Sequence, residues 1–173
     1  GLTPAVGQSV SYKSIRRGEP VIIDFAGAFD GYLVDQTRIF SIGPLPEKLT
    51  RAYEDMLRVQ DKMMLVARPG VPWGEVYDQC HAYAVELGYG EVFMGNPGAQ
   101  VSFIGHGVGT EIDEYPFIAR GFKDQLLEEN MTFAFEPKVV FAGLGAIGIE
   151  NTFRLTVDGP KHLTFSPEEL VVL

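Results

Sequence analysis

Asp30-Gly31 is the dipeptide that most restricts this chain, because it interrupts the β-rich stretch VIIDFAGAFDGYLVDQTRIF over residues 21–40. An Asp-Gly break between two such runs predicts a β-hairpin with a two-residue turn. That turn sets the register. Asp24 faces Thr37, and Asp35 lies two positions along on the same face, since side chains alternate with period two. Both carboxylates project to one side. A second hairpin is predicted over residues 131–155, as strand, glycine-rich turn at 143–145, and strand. Glu136 and Glu150 are equidistant from Gly143, which sets them directly opposite each other. Four carboxylates gathered in this way repel one another and raise one another's pKa unless something strongly positive sits among them. A pair of divalent cations meets that need, and such a site points to hydrolysis.

His106 supplies a fifth ligand, of a second type. Gly105 and Gly107 flank it, with Gly109 two residues further on. Glycines allow close backbone approach and unusual angles, which suits an imidazole aimed inward from a bend.

Between the hairpins the chain reads as helical. Residues 46–67 carry Leu49, Ala52, Tyr53, Met56, Leu57, Val59, Met63 and Met64 in the i, i+3, i+4 stripe of an amphipathic helix, closed by Pro69-Gly70. Methionines at that spacing are core packing rather than a ligand set. A second helix is predicted over 73–87, stopped by Gly88 and Gly90. It carries His81 as a packing or surface residue and Cys80 as a small core residue. Two helices between two hairpins give an α+β unit, with helices on one face of an antiparallel sheet. The GLGAIG run at 143–148 fits a dinucleotide-binding pattern, but the next residues, IENTFRLTV, read as strand, so a hairpin loop is the better reading.

Composition narrows the partners. The chain has 173 residues, 46% of them hydrophobic, enough for a single core and too few for two full domains. A net charge of −9 argues against nucleic acid or an anionic membrane surface. Every apolar run is broken by charge or glycine before spanning length, and one cysteine permits no internal disulfide. We therefore expect a cytoplasmic protein.

In the order Asp24 and Asp35 within and around DGYLVDQTR, His106 in GHGVG, Glu136 in FEP and Glu150 in GIEN, the chain resembles the M24 metallopeptidases. These are the pita-bread proteins, which include methionine aminopeptidase, aminopeptidase P, prolidase and creatinase. Asp35-Gln36-Thr37-Arg38 followed by Phe40 is similar to the aminopeptidase P and prolidase branch. The resemblance implies a curved antiparallel sheet with helices on its outer face. It also implies two divalent ions held by Asp24, Asp35, His106, Glu136 and Glu150. Hard oxygen donors with one imidazole favour manganese, with iron, cobalt or zinc as alternatives, over a structural zinc site. The implied reaction is attack of a metal-bridging hydroxide on the amide of a small Xaa-Pro peptide, with Glu136 moving the proton and His106 and Asp113 beside the reacting centre. Asp113 and Glu114 would line the mouth, Asp113 favouring a free α-amino group.

Three positions depart from the branch. Asp113 stands where a second histidine is usual, and an ionised aspartate cannot donate to an oxyanion. Gly7 lies nearest the place of an upstream histidine, and no histidine occurs from residue 1 to 80. Gly148 replaces a frequent arginine two residues before Glu150. Family members also begin with helices ahead of the first hairpin, so residues 1–173 are expected to be the catalytic, C-terminal part of a longer two-domain protein that lacks its first helices and pairs as a homodimer. Two other classes stay open: a relative that cleaves a different C–N bond, as creatinase does, and a silent binding module. Persistence of all five ligands favours an enzyme.

Overall fold

The first hairpin forms with the predicted register. In the computed structural model, which describes residues 3–7 and 10–173, β1 (Val21–Phe29) and β2 (Tyr32–Ser41) pair antiparallel, with Asp24 opposite Thr37 and Ala26 opposite Asp35. Asp30 and Gly31 have φ of 50° and 84°, the left-handed pair that lets a two-residue turn match the twist of its strands.

Helix α1 (Glu47–Val66) and helix α2 (Trp73–Glu86) fall within a residue of their predicted bounds. Each starts just after a proline, where a missing N–H costs the helix nothing. The stripe on α1 is the core face: Leu49, Ala52, Met56, Val59 and Met63 are completely buried, and Val76, Cys80 and Ala84 of α2 join them. Each of the larger aliphatic side chains contributes about 1.5–3 kcal/mol. Truncation of Met56 to alanine would leave a cavity costing about 2–5 kcal/mol. His81 packs against Tyr77 and Phe93 with ring centroids 5.6 and 5.9 Å away.

The remaining strands are β3 (Phe103–Gly107), β4 (Glu114–Ala119), β5 (Thr132–Phe135), β6 (Lys138–Phe141), β7 (Gly145–Gly148), β8 (Asn151–Thr156), β9 (Gly159–His162) and β10 (Val171–Val172). They form a five-stranded sheet in the order β4-β3-β5-β8-β9, a two-stranded sheet β6-β7, and, with the first hairpin, a three-stranded sheet β1-β2-β10. The five-stranded sheet is antiparallel throughout, as expected, and β10 adds a two-residue parallel pairing to β2. His106 lies within strand β3, between β4 and β5, where the pairing with β4 shifts register beside Gly107. Its glycine neighbours serve close approach: a Cβ on Gly105 would strike Ala134 O, and one on Gly107 would strike Tyr115 O.

The second hairpin departs from expectation in one respect: it is split. Phe135 pairs with Asn151 and Lys138 with Gly148, so one register runs through both ladders. The pairing breaks at Glu136-Pro137 and Ile149-Glu150. Pro137 has no N–H to give the ladder, Glu136 N donates to Ile104 O at 2.8 Å, and Glu150 bridges to Thr37 on β2. The two glutamates thus sit at the seam where the three sheets meet. Residues 143–148 form the turn and strand β7, with no helix after them.

Candidate metal centre

The seam brings the sequence-predicted ligands together. Asp35, His106, Glu136 and Glu150 are all buried. Donor atoms from Asp35, His106 and Glu150 lie within 4.8 Å of one another. His106 Nε2 is 4.0 Å from Asp35 Oδ2, 3.8 Å from Glu136 Oε1 and 3.9 Å from Glu150 Oε1. Those separations are too long for hydrogen bonds and match donors spanning a common cation, for which bonds of about 2.1 Å set ligands about 3–4 Å apart. Asp35 Oδ1 is buried with no hydrogen-bond partner among the described residues, a costly arrangement unless a cation meets it. The donor set of three carboxylates and one imidazole fits a divalent ion.

The histidine is presented in the right form. A carbonyl can only accept, so the 3.2 Å contact between His106 Nδ1 and Gly107 O makes Nδ1 the donor and leaves the Nε2 lone pair facing the carboxylates. The carboxylates are held from behind as well. Thr37 Oγ1 donates to Glu150 Oε2 at 2.6 Å, and Thr152 Oγ1 accepts from Asp35 N at 2.9 Å. Arg38 donates from Nη1 to Thr37 O and Glu150 O, and from Nη2 to Asn151 Oδ1. Burial, then the charges of Glu150 and Asp24, push Asp35 up to about 7. Burial likewise raises Glu136, against the opposing pull of Lys138.

Lys138 joins the cluster although no sequence motif marks it. Its buried ammonium lies 2.7 Å from Glu136 Oε2, 3.1 Å from Glu150 Oε2 and 3.8 Å from Asp24 Oδ2. Burial alone would lower its pKa, but Glu150, Glu136 and Asp24 reverse that and raise it. Period-two alternation from Glu136 is the signal that could have found it, since it places residue 138 on the same face. Asp24 is the most exposed of the five candidate ligands, its side chain 55% exposed; it lies 3.8 Å from Lys138 Nζ, and its charge acts on Asp35.

Residues 3–157 match Metallopeptidase family M24. The chain belongs to that family. An Xaa-Pro dipeptidase of Pyrococcus horikoshii is 34% identical over 161 residues, covering 93% of this chain and 44% of the relative. Among solved structures, an X-Pro aminopeptidase from Thermotoga maritima superposes with a TM-score of 0.85 at 31% identity, over 94% of this chain and 44% of that one. A dipeptidase from Pyrococcus horikoshii gives 0.88 at 28% identity, over 99% and 46%. The chain therefore spans less than half the length of these relatives, and its fold is the pita-bread fold of family M24.

The positions around the candidate ligands are less uniformly engaged. Asp113 Oδ1 is 3.4 Å from His106 Nδ1, on the side of the ring away from the carboxylates, and its side chain is exposed. Glu114 turns back to its own loop, where Oε2 accepts from Glu111 N at 3.0 Å. Gly7 has open space around it. Cys80 is fully buried and its thiol is pushed up to about 12 by that burial, which makes it a packing group. Among the described residues no helix is long and apolar enough to cross a membrane.

Proposed function

We propose that this chain carries the metal centre of an exopeptidase that hydrolyses small peptides, with Xaa-Pro dipeptides as the substrate class. The observation that carries this reading is the convergence of Asp35, His106 and Glu150 donor atoms within 4.8 Å, together with a second Asp35 oxygen, Oδ1, buried without a hydrogen-bond partner among the described residues. A divalent ion bound there supplies Lewis acidity toward a carbonyl and lowers the pKa of water. Manganese, iron or cobalt suits the oxygen-rich donor set.

The chain's own groups have distinct tasks. His106 offers Nε2 while Gly107 O holds Nδ1–H. Glu136 Oε1 stands 3.8 Å from His106 Nε2, and its raised pKa lets it take a proton and pass it to a leaving amine. Asp113, exposed next to His106, presents negative charge to a free α-amino group. The strands around the centre exclude bulk water from four of the five ligands.

A panel of dipeptides with and without proline in second place, each amino-free and amino-blocked, tests the proposal on manganese-loaded protein. Cleavage of amino-free Xaa-Pro substrates, lost on chelation and in His106→Ala, is the expected result. Folded, metal-loaded protein that cleaves no member of the panel would overturn it. The specific contact that favours a silent binding module instead is the Lys138 ammonium, which neutralises two of the carboxylates from within.

A further inference from the structure

The two glutamates divide their oxygens. Glu136 Oε1 and Glu150 Oε1 face His106 Nε2, at 3.8 and 3.9 Å. Glu136 Oε2 and Glu150 Oε2 face Lys138 Nζ, at 2.7 and 3.1 Å, and Asp24 Oδ2 lies on that same side at 3.8 Å. The carboxylate cluster therefore has two positions suited to positive charge. One is built for a metal, with the imidazole lone pair of His106 facing Asp35 Oδ2 at 4.0 Å. At the other the positive charge is already covalently attached to the chain.

This placement is built into the strand pairing. Lys138 on β6 lies directly across from Gly148 on β7. A Cβ at residue 148 would meet Lys138 Cα and Cγ, both at 2.7 Å, as well as Pro137 O. Lysine at 138 thus depends on glycine at 148, the position where the resemblance leads one to look for arginine. Lys138 is 3% exposed, so its ammonium is held inside the fold among these carboxylates. Charge counting runs the same way. Four carboxylates balance two dications, whereas two dications beside an ammonium would set five positive charges against four negative ones, with the ammonium inside bonding distance of shared ligands.

We propose that the Lys138 ammonium takes the cation position on the Asp24 side, so that this chain binds one divalent ion, on the His106 side, where the resemblance implies two. The inference rests on the metal-centre reading above and goes beyond it in fixing the stoichiometry. Lys138 is in this sense a positioning residue: it holds Glu136 and Glu150 by their Oε2 atoms and leaves their Oε1 atoms for the ion.

The experiment is calorimetric titration of chelator-treated protein with manganese and with cobalt, read alongside the electron paramagnetic resonance spectrum of the manganese form. Wild type and Lys138→Met, a neutral side chain of similar length, are compared, with circular dichroism to check folding. Wild type is expected to bind one ion per chain with the spectrum of an isolated ion. Folded Lys138→Met is expected to bind two, with the spectrum of a coupled pair. Two ions in wild type would overturn the inference and leave the peptidase reading standing, as would a folded variant that still binds one. No ion in wild type would overturn both. The wild-type stoichiometry decides the matter even if the variant fails to fold.

Discussion

Thr37 Oγ1 donates a 2.6 Å hydrogen bond to Glu150 Oε2 while the backbones of the same two residues are bridged, which locks the first hairpin to the last glutamate. The bond fixes which oxygen of Glu150 is left for His106. Thr37→Val keeps the shape and removes the hydroxyl. Metal affinity should fall about 10-fold or more, the usual scale for losing a group that orients a ligand. Stability should fall by about 1 kcal/mol. Calorimetric titration and denaturant unfolding read the two effects, and an unchanged dissociation constant would show that Glu150 is aimed by its backbone alone.

The raised pKa of Asp35 predicts how the metal-free protein responds to pH. Its ordinary value is 3.8 and the fold pushes it up to about 7, burial being the main cause. Between those values the folded chain holds a proton that the unfolded chain has released. Stability contributed by Asp35 is therefore complete below about pH 4 and is lost as pH rises through 7. Chelator-treated protein should show that loss in its thermal midpoint, and Asp35→Asn should flatten the profile. A profile identical in wild type and variant would mean that Asp35 ionises in the fold as it does in the open chain.

Arg38 ties the centre to the C-terminal segment. Besides its bonds to Thr37 O, Glu150 O and Asn151 Oδ1, it donates from Nη2 to Ser166 O and from Nε to Pro167 O, both at 2.8 Å. A lysine carries one compact charge and cannot reproduce this planar fork. Arg38→Lys should cost roughly 2–4 kcal/mol in urea unfolding, and protease should then cut the segment around Ser166 faster. An unshifted urea midpoint would show that the fork is replaceable.

How far sequence alone reveals this molecule depends on the range of the contacts involved. The register of the first hairpin is legible because Asp30-Gly31 fixes it locally, and the helices are legible from a single periodic stripe on α1. Both rest on contacts close in sequence. Of the break at Glu136-Pro137 only the missing N–H of Pro137 is legible; the partners that Glu136 and Glu150 find instead, Ile104 and Thr37, belong to strands far along the chain. The need for positive charge among four carboxylates can be read from the ligand pattern, but that pattern names only metals as its source. Lys138 lies two residues from Glu136 on the same face, and Gly148 stands out in sequence only as a missing arginine. Pairing across β6 and β7 is what links the two.

Gly105 separates the role of strand packing from that of ligand chemistry. It lies on β3 opposite Phe135 of β5, and a Cβ there would run into Ala134 O. Since the obstacle is backbone, relief requires β3 and β5 to part, and His106 would move with β3. Gly105→Ala should therefore cost about 1–3 kcal/mol, the usual range for overpacking. It should also weaken metal binding, although it touches no ligand. Serial unfolding and metal titration of the variant test this. His106→Ala provides the contrast: it removes a ligand without forcing the strands apart, so metal binding should disappear while the metal-free protein unfolds near the wild-type midpoint. If Gly105→Ala lowered stability and left metal affinity intact, the strand spacing would be a matter of packing alone, and the position of His106 would be set from the β4 side.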